Sequence, residues 1–422
     1  MAQRSIREFD CKQFLAQYAS QKPSGFALSS KQVLVDAETD WNALKKSHPW
    51  LLKEKLVVKP DQLFGKRGKH HLVRLNASFD DCRAFVSGRL GKEIEVGKAR
   101  GTLTHFLIEP FVPHDEEYYL AFRTLNDADE ILFSLRGGVD VEANWENVIS
   151  LRVPILRSLQ ENALSEKLLS SVPSERRGPL ASFIASLYRA FADLDFAYLE
   201  FNPLAWSKNG PELLDAVARL DDTAAFQHVE DWKTISFPTP FGRTMKKEEA
   251  FIASLDAKTG ASLKLTVLNP EGSVWLLVAG GGASVIYTDT VADMGFGDQL
   301  GNYGEYSGDP NEELTYLYAK TVLQLVTRSP AKKKSVIIGG GIANFTDVAK
   351  TFKGIVRALT EDAEAIRKAH VKLFVRRGGP NYPEGLKRMK ETGETLKIPI
   401  EVYGPEMHMT SVVPKAIDWV RS

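Results

Sequence analysis

The sequence predicts an α/β protein in two parts: a mixed region over 1–240 and a doubly wound parallel sheet over 241–422. Three observations lead there. After residue 270 short apolar runs alternate with stretches of helical spacing, the pattern of strands joined by helical crossovers. Three of those runs, WLLV at 275–278, VII at 336–338 and LFV at 373–375, pass straight into glycine clusters. ISFPTPFGR at 235–243 sets Pro238, Pro240 and Gly242 among aromatics, which suits a tight crossing between domains better than a loose linker.

Composition narrows the class. A length of 422 residues allows two to three domains with their own cores. Lys+Arg and Asp+Glu both total 54, so no bulk field recruits nucleic acid or an anionic membrane. Cys11 and Cys82 make neither a disulfide framework nor a metal motif, which suits a reducing compartment. The start, MAQRSIREFDCKQF, has no apolar core of signal type, and no apolar run approaches a membrane span. A cytoplasmic protein is expected.

In the first part, LVVKPD at 56–61 reads as a strand that carries Lys59 into a turn. FGKRGK at 64–69 is a basic, glycine-bearing loop with Arg67 and Gly68. THFLIEPFVPHDEEYYLAF at 104–122 predicts two strands joined by a bent, proline-rich connection. AYLEFNPLAW at 197–206 and ELLDAVARLD at 212–221 predict a strand pair. Glu200, Asn202 and Asp215 interrupt these apolar strands, and burying such oxygens costs free energy unless they find a partner. A hard cation is an economical one, because magnesium takes oxygen ligands and nucleotide phosphates complete its shell.

In the second part the elements follow in order: strand 273–279, helix 311–327, strand 335–339, helix 346–359, strand 371–375, helix 384–393 and strand 398–403. Leu314, Leu317, Tyr318 and Leu325 share one face of the first helix, with Asp309-Pro310 read as its cap and first-turn proline. Val348, Phe352, Ile355, Val356 and Leu359 do the same in the second. Ligands of such sheets sit at the strands' carboxyl ends. There VAGGGASV at 278–285, GGGIANFTDV at 339–348 and FVRRGGPN at 374–381 bring bare N–H groups and helix N-termini together with Arg376 and Arg377. This describes a pocket for a small, multiply charged anion. Neighbours in a strand face opposite ways, so one arginine should grip the ligand, and Arg377 is the expected one.

Lys59, the Arg67–Gly68 loop, the 109–117 connection and the Asn202/Asp215 pair together resemble an ATP-grasp nucleotide site. In that fold the hinge offers adenine a carbonyl and, two residues on, an N–H, which Pro110 and Val112 can supply. Over the whole chain LVVKPDQLFGKRGK, IEPFVPH, LDAKTGASLK, VAGGGASVIY, NYGEYSG, GGGIANFT and FVRRGGPNY resemble the A-type subunits of the ATP-citrate synthase (ATP-citrate lyase) family. The β subunit of succinyl-CoA synthetase is the wider relative. The resemblance implies an ATP-grasp domain over 1–240 and a flavodoxin-like citrate-binding domain over 241–422. It implies Lys59, Arg67, Gly68, Glu109, Pro110, Val112 and Glu117 as nucleotide contacts, Glu117 at the ribose, and Asn202 with Asp215 for Mg2+. Asp256, Thr259 and Ala261 match a second cation position. Gly308, Asn344, Thr346 and Arg377 match citrate contacts, with Gly281, Gly282, Ala283 and Ser284 beside them. Arg219 departs from the lysine of the succinyl-type LDAK motif, though the charge is kept.

The family's reaction passes the γ-phosphoryl of ATP to a histidine and then to citrate, giving an acyl phosphate that CoA attacks. Acetyl-CoA and oxaloacetate follow from citryl-CoA, so the implied class is acyltransferase. His48, His70, His71, His105, His114, His228, His370 and His408 are scattered, and none sits in a glycine-rich loop. No catalytic residue is therefore expected on this chain. The resemblance places the phospho-histidine, the CoA site and a citrate-synthase-like domain on a B-type partner subunit, in a hetero-octamer. Two alternatives stand beside this reading: a succinyl-CoA or citryl-CoA synthetase subunit, and a noncatalytic nucleotide-sensing module.

Overall fold

The computed structural model describes residues 3–21, 28–97, 99–138 and 141–422. The chain divides into two compact units, Met1–Thr244 and Met245–Ser422.

The first unit is built on antiparallel strands: β1 (Gln3–Ile6), β2 (Val33–Val35), β3 (Leu56–Pro60), β4 (Arg74–Ala77), β5 (Glu93–Val96), β6 (Ala99–Thr102), β7 (Phe106–Pro110), β8 (Glu116–Thr124), β9 (Ala128–Ser134), β10 (Ile149–Pro154), β11 (Phe196–Ser207), β12 (Gly210–Leu213) and β13 (Val217–Asp221). Its helices are α1 (Glu8–Gln21), α2 (Trp41–Ser47), α3 (Phe79–Ser87), α4 (Glu161–Ala163) and α5 (Ser174–Asp193). A seven-stranded sheet runs β1-β13-β11-β8-β9-β10 with β12 beside β11, and a four-stranded sheet runs β2-β7-β3-β4. The large sheet buries Phe122, Phe133, Leu199 and Phe201 with Phe14 and Leu15 of α1 and Leu180, Ile184 and Phe191 of α5. The small sheet has a separate core of Val58, Phe106 and Ile108 with Phe79, Cys82 and Val86 of α3. The predicted strand over 212–221 is in fact two, β12 and β13, because the chain leaves the sheet at Leu214–Ala216. That break puts Asp215 in a loop.

The second unit has strands β14 (Ser262–Val267), β15 (Val274–Ala279), β16 (Asn302–Ser307), β17 (Lys334–Gly340), β18 (Val371–Arg376) and β19 (Ile400–Tyr403). Its helices are α6 (Lys247–Asp256), α7 (Gly281–Val291), α8 (Glu312–Arg328), α9 (Val348–Glu361), α10 (Ala363–Lys368), α11 (Tyr382–Leu396) and α12 (Val412–Arg421). The sheet order is β14-β16-β15-β17-β18-β19, with β14 antiparallel to β16 and every other pair parallel. Leaving out the β14 edge, the order is that of a flavodoxin-like sheet, whose ligand crevice opens beside the first strand, here β15. Helices α8, α9 and α11 cover one face, and α7 with α12 the other. Two helix starts lie later than the sequence suggests. Asn311, not Asp309, caps α8 by accepting from Leu314 N at 2.9 Å, and Asp347 caps α9 by accepting from Lys350 N at 2.9 Å. A short polar side chain two or three residues before the apolar face outcompetes both readings. Asn344 and Thr346 therefore lie in the loop before α9 rather than in its first turn. No helix among the described residues is long and apolar enough to cross a membrane.

Candidate functional site

In the first unit Lys59 and Arg67 meet over a buried carboxylate that the sequence did not flag. Glu8, in the first turn of α1, takes Lys59 Nζ and Lys12 Nζ on Oε1, both at 2.7 Å, and Arg67 Nη2 on Oε2 at 2.7 Å. Lys59 also donates to the Leu214 carbonyl at 2.6 Å and lies 3.0 Å from Glu109 Oε1, so its three N–H groups are all engaged. Arg67 adds the Pro60 carbonyl at 2.8 Å and the Asp215 carboxylate. Lys12 closes the ring on Glu109 Oε2 at 2.8 Å. Burial would raise the pKa of Glu8, but Lys12, Lys59 and Arg67 outweigh it and hold the carboxyl well below the usual range. Below the cluster Asp61 accepts from the backbone N–H of Glu8 and of Phe9, each at 3.0 Å, and so ties α1 to the end of β3. Burial, then the charge of Glu8, pushes the Asp61 carboxyl up to about 6. Lys59 is only 4% exposed, so it does not border solvent as a phosphate-facing lysine would suggest. Gly68 lies in the open turn that follows Arg67.

The 109–117 connection lies next to this cluster. Glu109 and Pro110 end β7 opposite Val57 and Leu56, and the Val112 carbonyl accepts from His114 Nδ1 at 2.8 Å. The other ring nitrogen of His114 lies 3.0 Å from Glu117 Oε1. Both neighbours are acceptors, so the doubly protonated ring suits the site. Burial opposes that charge, but the Val112 and Glu117 contacts outweigh it and raise the pKa. Gly138 links Glu117 to Asn202: its N–H donates to Asn202 Oδ1 at 2.6 Å, and a Cβ there would come within 2.8 Å of Glu117 Oε2.

For magnesium, strand register is informative. Leu204 pairs with Leu213 and Glu200 with Val217, which sets Asn202 opposite Asp215 across the break between β12 and β13. The pair offers an amide oxygen and a carboxylate, donor types that suit a hard cation, with Asn202 Oδ1 held by the Gly138 N–H and Asp215 by Arg67 in this arrangement. Glu200 does not join them. Its carboxylate accepts from the hydroxyls of Tyr198 and Tyr119, so tyrosines supply the partner that a cation was invoked for. Among the described residues no three of His, Cys, Asp and Glu gather as a metal cluster. Arg219 lies 5.3 Å over the Tyr198 ring, outside the cluster.

In the second unit a cavity of about 310 Å³ opens at the carboxyl edge of the sheet. Ala279 and Gly280 bring β15 to it, Tyr306 to Gly308 bring β16, and the loop after β17 supplies Ile342, Phe345 and Thr346. Arg377 lies on its wall, 5% exposed. Its Nη1 donates to the Gly341 carbonyl at 2.7 Å, and no carboxylate among the described residues pairs with it. Burial pulls its pKa down. Arg376, equally buried, is fully spent on carbonyls: Nε on Met407 at 2.9 Å, Nη1 on Gly340 at 3.1 Å and Nη2 on Pro405 at 3.3 Å. A Cβ at Gly340 would meet Arg377 Nη1 at 2.3 Å, so the glycine makes the room that the guanidinium occupies. Gly308 reaches the cavity with φ +72°, backbone that favours glycine.

The expected citrate residues separate here. Ala283, Gly308, Thr346 and Arg377 line the cavity; Gly281, Gly282, Ser284 and Asn344 are not on its wall. Ser284 is fully buried and its hydroxyl donates to the Gly304 carbonyl, which makes it a packing residue. Gly281 leaves space for Glu305, whose oxygens a Cβ would approach to 3.2 Å. Tyr306, absent from the sequence reading, presents a buried hydroxyl without a partner. At the second cation position Asp256 is committed to the Leu263 N–H at 2.8 Å and to Lys264. Thr259 Oγ1 is buried and unpartnered, and Ala261 packs beside Gly308. With its carboxylate already engaged, this loop does not fit a cation as it is arranged.

Two family models match the chain: the ATP-citrate synthase ATP-grasp domain over residues 2–232 and the ATP citrate lyase citrate-binding domain over 243–419. The chain belongs to the ATP-citrate synthase family. It is 48% identical over 421 residues to ATP-citrate synthase alpha chain protein 2 of Arabidopsis thaliana, covering 100% of this chain and 99% of that one. It is 48% identical to ATP-citrate synthase of Mus musculus over 99% of its own length, which is 38% of the mouse protein. The structure of ATP citrate lyase from Methanothrix soehngenii in complex with citrate and coenzyme A superposes with a TM-score of 0.91 at 48% identity, covering 99% of this chain and 100% of that one.

Within this family the residues missed at the sequence level are instructive. Glu8 and Lys12 read as an ordinary surface pair four apart on a helix. Their one signal is the apolar company of Cys11, Phe14 and Leu15, which marks that face of α1 as buried. Tyr306 lies within NYGEYSG, one of the motifs that carry the resemblance, but the strand that buries its hydroxyl was not predicted.

Proposed function

We propose that this chain is the ATP- and citrate-binding subunit of ATP-citrate synthase. With a partner subunit it converts citrate, CoA and ATP to acetyl-CoA, oxaloacetate, ADP and phosphate. The observation that carries the reading is Arg377, a buried guanidinium without a carboxylate partner among the described residues, on the wall of a cavity at the sheet's carboxyl edge. A buried, unpaired charge is costly, and a substrate carboxylate is the partner that relieves it. Thr346, on the cavity wall, would take a second carboxylate or the hydroxyl of citrate. In the first unit Lys59 and Arg67 would hold the triphosphate, with Pro110 and Val112 at adenine and Glu117 at the ribose. Asn202 and Asp215 would hold Mg2+, which when bound neutralises phosphate charge. Phosphoryl transfer asks for positioning and charge more than covalent help, and on this reading the chain supplies only that. The phospho-histidine, the CoA site and the cleaving domain belong to a B-type partner, in a hetero-octamer.

Turnover of ATP with citrate and CoA, with and without the co-expressed partner, tests the reading. Citrate-dependent acetyl-CoA formation is expected only with the partner, and a stable phosphohistidine on this chain by mass spectrometry would contradict it. Accumulation of citryl-CoA without cleavage would favour a citryl-CoA synthetase instead.

A further inference from the structure

The cations assigned to phosphate are held by a carboxylate from outside every predicted motif. Glu8 bonds three cations with two oxygens, its side chain is 2% exposed, and its own N–H is pinned by Asp61. Among the described residues it is the one carboxylate that pairs with both Lys59 Nζ and Arg67 Nη2. Lys59 reaches the cluster from β3 and Arg67 from the loop after it; the Pro60 carbonyl at the end of β3 holds Arg67 Nη1 at 2.8 Å, and Glu8 holds the Nη2 on the side of Lys59. Glu109 and Asp215, the other two acids, each touch only one of the pair, and each is itself expected to engage nucleotide or Mg2+. When ligand draws those two away, Glu8 is the carboxylate that remains, because burial and the α1 backbone leave it nowhere to go.

We propose that Glu8 is a positioning residue of the nucleotide site, setting Lys59 and Arg67 side by side so that both meet the triphosphate. This rests on the nucleotide reading above. Lys12 has a supporting part: it keeps Glu8 and Glu109 neutralised from the far side, so that Glu109 can release Lys59 without leaving an unpaired acid.

The test uses the full chain with its partner subunit. Glu8→Gln keeps size and loses the charge that holds two cations. KM for ATP should rise roughly tenfold or more, the loss of one charge-assisted bond, and KM for citrate should stay within about twofold on the same scale. Glu8→Asp, which keeps the charge, should recover part of the loss; it is also read alone if Glu8→Gln does not fold. In a Lys59→Met background, with ATP binding read by calorimetry because turnover is lost, the Glu8→Gln effect should shrink to the part that acts through Arg67; an undiminished effect would overturn the proposal. A lower melting temperature with ATP and citrate kinetics both normal would make Glu8 a structural ion-pair partner and overturn the proposal. Equal damage to ATP and citrate would overturn it too. If Lys59→Met itself leaves KM for ATP unchanged, the nucleotide reading fails, a result distinct from failure of Glu8 alone.

Discussion

The two sites treat buried positive charge in opposite ways. In the first unit Lys12, Lys59 and Arg67 are each matched by carboxylates within one buried ring. In the second, Arg376 donates to three carbonyls, while Arg377, on the wall of a cavity, has the Gly341 carbonyl and no carboxylate among the described residues. The first cluster is closed by the chain itself and must open to take a ligand. The second is incomplete without one. A neutralised cluster adds stability and asks a ligand to compete; an orphaned charge lowers stability and rewards a ligand for arriving.

The largest effect should come from breaking the closed ring. Lys59→Met leaves Glu8 and Glu109 short of a cation, and removing one partner of a buried pair costs about 3–5 kcal/mol. Urea unfolding should show that loss alongside the collapse of citrate-dependent ATP cleavage; normal stability would mean the ring is looser than its distances. Arg376→Lys comes next. It abandons most of the bonds to Met407, Gly340 and Pro405, and stability should fall by about 1–3 kcal/mol. Citrate affinity measured by calorimetry should then change less than in an Arg377 variant.

Arg377 sharpens the contrast from the other side. Arg377→Lys keeps charge and loses the fork, so citrate should bind about tenfold more weakly, roughly 1.4 kcal/mol, with ATP affinity unchanged. Arg377→Met should abolish citrate binding yet stabilise the ligand-free chain by about 1 kcal/mol or more, since an unpaired buried charge is removed. Destabilisation by that variant would mean the guanidinium is paid back within the fold and the contrast is wrong.

The smallest effect lies at His114. Its folded pKa is raised above the ordinary 6.5, so its contribution to stability is fully present below that value. It fades as pH rises through the folded pKa, when the ring can donate to only one of Val112 and Glu117. An NMR titration with a midpoint at or below 6.5 would refute it.

Much of the second unit was legible because its strands are short apolar runs with helices between. What escaped differs by element. β14 does alternate, with Leu263, Leu265 and Val267 inward, and was not read as a strand; β16, as NYGEYS, and α7, which begins inside glycines, give no clean apolar period. Gly280 and Gly308 could be read as backbone approaching a ligand, whereas the packing role of Ser284 depends on a carbonyl twenty residues away. In the first unit Lys59 and Asp215 were visible as charges in apolar strands, and Arg67 as part of a basic loop. Their mutual pairing was not, since Glu8 lies 51 residues from Lys59 in the chain. Glu200 shows the same limit: a buried acid announces that it needs a partner and says nothing of which.

The pairing of β1 with β13 sets a clock on the ribosome. Gln3 lies opposite Asp221 and Ile6 opposite Ala218, so the first strand synthesised waits for the last strand of its sheet. At about 5–20 residues per second that wait is roughly 10–45 s. Throughout it α1, with Glu8 and Lys12, has no sheet edge beside it, and such sequence-distant closure is slow in any case. The nucleotide pocket is thus among the last parts of its unit to be completed, and a nascent chain shorter than Asp221 lacks the strand that seats β1 at the sheet edge.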